Sequence, residues 1–495
     1  MMVGRSTRQC DRARPTCTPC RKSRRTCLGY RDQGDVIFRD ETHATRTKAE
    51  RATSSLVASS PRPSPAVEVA RSGDCGLWIS RYLPQPVELQ ATSLFVYNYV
   101  QPPQALQSNS SHVHCLVGLV AREAPDSHLS RAMLAISIAF MSNVVRQPSL
   151  MVRANTEYGR ALALTNTALA HPIEATTDRT LLTVLLLTMF VVIASPNDTV
   201  AGHKAEDSHI DGVAALIKLR GKARLRTPVE AKLFDMARGN LVMSYLSRGK
   251  AIDFLTDMMD ELPVDDAVND QLGRLTMELP NLRAAAEGLV KVPNPLVRLT
   301  KAVQILGDVV ALDQRLVRWS QSVPAAWARQ TVQHVVDRPA TPPETWAFYP
   351  GDVDVYQDLW VADSWNTYRW ARLVTGRMMV RIVARLRGIV PAFCLPAVGS
   401  PLEVVLELVN EICASVPFIL GYATRAMEKE DSGVNALGGY FLLTPLAVAC
   451  SVDEVSEAQR RWLRGRLTHI SRQMGINRAA ALVEVLPPGP ENLRP

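Results

Sequence analysis

The sequence lacks most of what would mark a secreted, fibrous or membrane protein. No apolar segment follows the basic stretch Met1–Cys10, so no secretory signal is read there. Glycine (26) and proline (32) are too few and too irregular for a collagen-like or low-complexity chain. Long apolar runs are scarce. The strongest, Leu181–Ala194, is about 14 residues, against the roughly 20 needed to span a bilayer. Asp178 and Arg179 precede it and Ser195-Pro196-Asn197-Asp198 follows it. It reads as a buried core helix, and no membrane partner is expected. No repeat of fixed period and no sustained heptad pattern is present. The sequence also has no His-Glu-x-x-His, no phosphate-binding glycine-lysine loop, no nucleophile elbow and no dinucleotide fingerprint. An enzyme is therefore not expected, and no catalytic residue is assigned.

What is present suits a large globular protein. The chain has 495 residues, 47% hydrophobic and 21% charged, enough to bury a sizeable core. Its formal charge of +8 is uneven. Residues 1–30 carry Arg5, Arg8, Arg12, Arg14, Arg21, Lys22, Arg24 and Arg25 against Asp11 alone, which leaves about +1 for the rest. A basic end on a near-neutral body suggests an arm that faces nucleic acid.

The nine cysteines are uneven too. Cys75, Cys115, Cys394, Cys413 and Cys450 are scattered among apolar residues and read as small core residues. The other four follow the spacing Cys10-x6-Cys17-x2-Cys20-x6-Cys27. Four thiolates on short turns suit tetrahedral zinc, and Cys17-Thr18-Pro19-Cys20 is the short-loop half of such a site. Nearby arginines favour the thiolate form. So small a segment has little apolar surface, so a metal would supply its folding energy. Arg21-Lys22-Ser23-Arg24-Arg25 is a compact cationic patch suited to DNA phosphates and to nuclear import.

The fold class expected is mostly α: a small zinc-binding module, a linker and a large all-α regulatory domain. The boundaries are 1–41 for the module, 42–90 for a Ser/Pro-containing linker, 91–486 for the all-α domain and 487–495 for a Pro-rich tail. Helical stripes support the third part. Tyr158, Ala161, Leu162, Thr165 and Leu169 share one face, as do Ile210, Val213, Ala214 and Ile217, and Val405, Leu408, Val409 and Ile412. Trp360, Trp365 and Trp462 read as packing residues, and His209 as a hydrogen-bonded histidine. His112, His114 and Cys115 lack a fourth ligand. Asp257, Asp260, Glu261, Asp265 and Asp266 lack the alternation of a calcium loop and read as a solvated face.

The cysteine segment, with Cys27-Leu28-Gly29-Tyr30-Arg31-Asp32 and Phe38-Arg39-Asp40-Glu41 after it, resembles the fungal binuclear zinc-cluster transcription factors. That resemblance implies six cysteines holding two zinc ions, the first and fourth bridging both. Cys10, Cys17, Cys20 and Cys27 match the third to sixth ligands. The second would fall at Val3 and the first before Met1, so the first half of the motif is missing. It would also carry the basic helix that reads bases, and Arg5 and Arg8 stand there as candidate base or groove contacts. Arg21, Lys22, Arg24 and Arg25 match phosphate contacts. Two readings stay open: the chain begins too late, or the module is degenerate and holds one zinc ion or none.

The helical body resembles the fungus-specific transcription-factor domain over residues 94–486. The matching stretches are Tyr158–Asn166 with Asp178 and Leu181–Phe190, then His209–Gly221, then Asp354–Trp360 with Trp365–Arg369, then Ile412–Pro417, and finally Gly438–Leu446 with Met474-Gly475-Ile476. One departure is Val191, where an acidic residue commonly follows the phenylalanine. The resemblance implies a nuclear regulator of RNA polymerase II transcription, acting on a biosynthetic gene set. Its implied partners are double-stranded DNA, the transcriptional machinery or other regulators, and a second copy of itself. The alternative is an interaction protein that has lost specific DNA reading and docks to other regulators through the helical body.

Overall fold

The computed structural model describes Lys22 and residues 85–100, 118–194, 200–259, 267–336, 339–388, 401–422 and 436–486. The chain divides into two compact units, Met1–Tyr82 and Leu83–Pro495. In the first, Lys22 is described, helical and exposed. The second is mostly α among its described residues.

Local sequence signals set the helix ends. Helix α1 is Val87–Tyr99. Helix α2, His128–Val145, starts where the Ser127 hydroxyl accepts from the Ser130 amide at 3.1 Å. Helix α3, Pro148–Leu169, carries proline at its first turn, where the missing N–H has no partner to lose. Helix α4, Asp178–Ala194, is buried on all sides between α2, α3 and α5 (Val200–Arg220). This is the core helix expected from the run Leu181–Ala194. Among the described residues, α2 is the one helix long and apolar enough to cross a membrane; most of it is buried against α1, α3 and α4. On α5 the stripe Ile210, Val213, Ala214 and Ile217 is buried as its spacing requires.

Helix α6, Pro228–Arg248, opens on a reciprocal cap in which the Thr227 hydroxyl accepts from the Glu230 amide and the Glu230 carboxylate accepts from the Thr227 amide. It packs on α7 (Ala267–Gly288), which packs on α8 (Pro295–Ser322). The long helix α9, Leu359–Arg387, is capped by Asp358 and touches α7, α8, α10 (Pro401–Ile419) and α11 (Ala436–Cys450). Then α12, Glu457–Met474, and α13, Asn477–Val485, return to pack on α2 and α4. The C-terminal helices thus close the core against the N-terminal ones, and a seam runs between them.

The body is not all-α as expected. Strands β1 (Gln330–Val335) and β2 (Gly351–Val355) form an antiparallel pair with a bulge between Thr331 and Gln333. Its anchor is Asp354, fully buried on β2, which accepts from Thr331 Oγ1 at 2.8 Å and pairs with Arg329. Arg329 also bridges to Glu411 on α10 at 2.8 Å, so the pair is tied down by charge rather than by alternating apolar residues. The tryptophan expectation holds: Trp462 is fully buried with its indole N–H on the Trp346 carbonyl at 3.0 Å, and Trp360 and Trp365 pack against the core. Cys413 and Cys450 are buried free thiols, also as expected.

Candidate functional site

The sequence-assigned site residues Cys10, Cys17, Cys20, Cys27, Arg5, Arg8, Arg21, Arg24 and Arg25 lie outside the described residues, as do His112, His114, Cys115, Asp260, Glu261, Asp265 and Asp266. Of the cationic patch, Lys22 is described, and it is exposed. Among the described residues, no group of three or more His, Cys, Asp or Glu side chains is placed to hold a metal.

The structure instead shows a cleft of about 900 Å³ on the seam. That volume suits a small organic molecule. Its residues come from six helices: α2, α3, α4 and α5 on one side, α12 and α13 on the other. Asn143 fixes the junction. Its side-chain N–H₂ donates to the carbonyls of Ile193 and Gly475, each at 2.8 Å, and so joins α2 to the end of α4 and to the α12–α13 turn. Glycine is needed at 475. Its φ is +67°, and a side chain there would meet Asn143 Cβ at 3.1 Å. Glu206 of α5 pairs with Arg478 of α13 at 3.1 Å across the same seam.

One wall of the cleft is apolar. Tyr158 stacks on Phe190 with ring centroids 4.4 Å apart and planes 14° apart, and Met151 and Val191 extend the surface. Val191 is the position where the family resemblance leads one to expect an acid. The Tyr158 hydroxyl lies 2.6 Å from Nε2 of His209. Burial lowers the histidine's pKa from 6.5 and raises the phenol's from 10.0, so both groups are neutral at pH 7. His209 is the hydrogen-bonded residue expected, although it sits within α5 rather than at its start.

The exposed rim is cationic. Arg146 and Arg472 are exposed and are the charged residues of the lining, with no carboxylate there among the described residues. Arg146 ends α2 in the left-handed region, with φ 57° and ψ 42°. It is the non-glycine residue with positive φ among those described. Helices commonly end on glycine at such a position, and another residue there costs on the order of 1–2 kcal/mol. Its guanidinium donates to the Arg472 carbonyl at 3.5 Å. Neither arginine has a carboxylate partner among the described residues.

Sequence reasoning did not find this cleft. Its polar residues sit in two distant segments, 142–158 and 471–477, and neither alone marks a site. The one signal available was Val191, an apolar residue at a position marked as unusual.

Compared with known proteins, the chain is similar to transcription factor dbaG of Emericella nidulans. The two are 22% identical over 408 residues, covering 80% of this chain and 91% of the relative. No family model matches the chain, and no solved structure matches it.

Proposed function

We propose that this protein is a fungal transcription regulator of the zinc-cluster type. The similarity to a named transcription factor along four-fifths of the chain carries the reading. The cysteine spacing and the charge concentrated in residues 1–30 support it. In this reading Cys10, Cys17, Cys20 and Cys27 hold zinc, whose binding folds the module. Arg21, Lys22, Arg24 and Arg25 contact DNA phosphates, with Arg5 and Arg8 toward the groove. Phosphate contacts position a protein but do not read sequence. The helical unit is the regulatory part. The protein works in the nucleus on RNA polymerase II promoters of a biosynthetic gene set, with other regulators and as a homodimer.

A second reading is favoured by one observation: Val3 stands where the second cysteine of the motif would fall. In it the protein docks to other regulators without reading DNA. Zinc content and random-duplex binding of the full chain, at low and moderate salt, separate the two. The first reading expects bound zinc and binding that weakens steeply with salt, both lost in a Cys17→Ser/Cys20→Ser variant. A metal-free chain that ignores DNA at low salt overturns it in favour of the second. Two zinc ions and selection of one defined sequence would show a complete reader.

A further inference from the structure

We propose that the seam cleft binds a small aromatic carboxylate. The inference does not rest on DNA reading; it follows from the cleft alone. The volume of about 900 Å³ is that of a site for a small organic ligand. The lining combines aromatic, polar and cationic side chains. The stacked Tyr158–Phe190 pair, Met151 and Val191 supply an apolar wall, and the exposed Arg146 and Arg472 supply the charge of the lining. A flat ring lying on that wall gains apolar burial and aromatic contact.

The rim selects the charge. A guanidinium presents a planar fork of donors that fits a carboxylate with two parallel hydrogen bonds. Both arginines sit at helix C-termini, where a cation also offsets roughly half a unit of negative charge. That effect leaves about half of each charge unbalanced, and no carboxylate among the described residues lines the cleft. The long contact to the Arg472 carbonyl is the hydrogen bond that Arg146 makes among the described residues, and it leaves donors of the fork available. Arg146 occupies a backbone conformation that disfavours a non-glycine residue, a kind of strain that clusters at binding sites.

The placement also has a consequence for regulation. Arg146 belongs to the N-terminal side of the seam and Arg472 to the C-terminal side. A carboxylate held by both joins α2 to α12 and stiffens the closure that Asn143 already makes.

The test is titration of the full chain with 2-naphthoate, followed by calorimetry or ligand fluorescence. Neutral 2-naphthamide and inorganic phosphate are run alongside. Saturable one-to-one binding of 2-naphthoate is expected, with both comparison compounds at least about tenfold weaker. Arg146→Gln and Arg472→Gln should each weaken 2-naphthoate about tenfold. Asn155, exposed in the lining, provides a variant that should leave the fold intact: Asn155→Asp adds a carboxylate to the cleft and should also weaken binding. Equal binding of acid and amide overturns the proposal, as does equal binding of phosphate and naphthoate. Indifference to all three substitutions, or no saturable binding at millimolar ligand, overturns it as well.

Discussion

Arg369 on α9 is fully buried and donates from Nε to the Glu411 carboxylate on α10 at 3.0 Å. The same guanidinium donates to Asn366 Oδ1 at 2.9 Å and stands 5.7 Å from the ring centres of Tyr356 and Trp365. Glu411 in turn accepts from Arg329, whose other contact is the buried Asp354 of β2. One carboxylate therefore joins two long helices and the strand pair. Its removal leaves Arg369 buried without its counter-charge. Glu411→Ala should destabilise the protein by about 3–5 kcal/mol, read as a lower urea midpoint. An unchanged midpoint would mean that the network is not the anchor of the strand pair.

Close packing makes a second prediction. Gly465 of α12 lies against the backbone of Glu344, and a methyl group there would overlap the Glu344 carbonyl and Cα. The turn at Pro343–Thr345 is held to α12 by the ion pair Arg461–Glu344 at 2.9 Å and by Arg466 donating to the Glu344 carbonyl at 3.1 Å, so it cannot retreat freely. Gly465→Ala should cost about 1–3 kcal/mol. Gly159→Ala, on an exposed face of α3 with open space around it, should stabilise by about 0.5–1 kcal/mol. The pair of melting curves checks both signs.

The Tyr158–His209 bond gives a pH prediction. With the imidazole proton on Nδ1, Nε2 accepts from the phenol, and burial holds the histidine's pKa below 6.5. The unfolded chain then binds more protons than the folded one in the window just below 6.5. Stability is intact above that value and is lost as pH falls through the window. Tyr158→Phe removes the donor to the neutral form and should cost about 1 kcal/mol at neutral pH. The cost should shrink only at acid pH, once the histidine is protonated in the folded state. His128 and His469 are lowered by burial too, so the difference between the variant and the parent is the quantity to follow.

Much of the fold was legible in the sequence, and its limits have physical causes. The run Leu181–Ala194 is apolar on every face, and only a helix enclosed by others satisfies that in water. The stripe Ile210, Val213, Ala214 and Ile217 similarly had one burial solution. The strand pair was not legible. Gln330-Thr331-Val332-Gln333-His334 is exposed throughout, so no alternation marks it, and its stability comes from Asp354, Arg329 and Glu411, which lie far apart in sequence. The cleft was hidden for the same reason. Asn143 and Gly475 are 332 residues apart, and periodicity reports which face of a helix is buried, not which helices meet at its end.

Asp363 on α9 makes the last prediction. Burial, with the charge of Asp235 on α6 as a smaller cause, raises its pKa from 3.8 to about 7. Burial, with smaller contributions from the charges of Glu206 and Asp363, raises the pKa of Tyr440 on α11 to about 12. For an acid with a raised pKa the folded state binds the proton more tightly. The penalty is absent below about 4, grows as pH rises through the window, and is complete above about 7. Asp363→Asn removes the ionisation and keeps the shape. The variant should match the parent near pH 4 and exceed it near pH 8 by on the order of 1–3 kcal/mol, a range reduced because the side chain keeps partial exposure. Urea unfolding at the two pH values measures the difference directly. A variant less stable than the parent at the higher pH would show that the ionised carboxylate is held by a favourable contact, and that its burial is not the dominant influence.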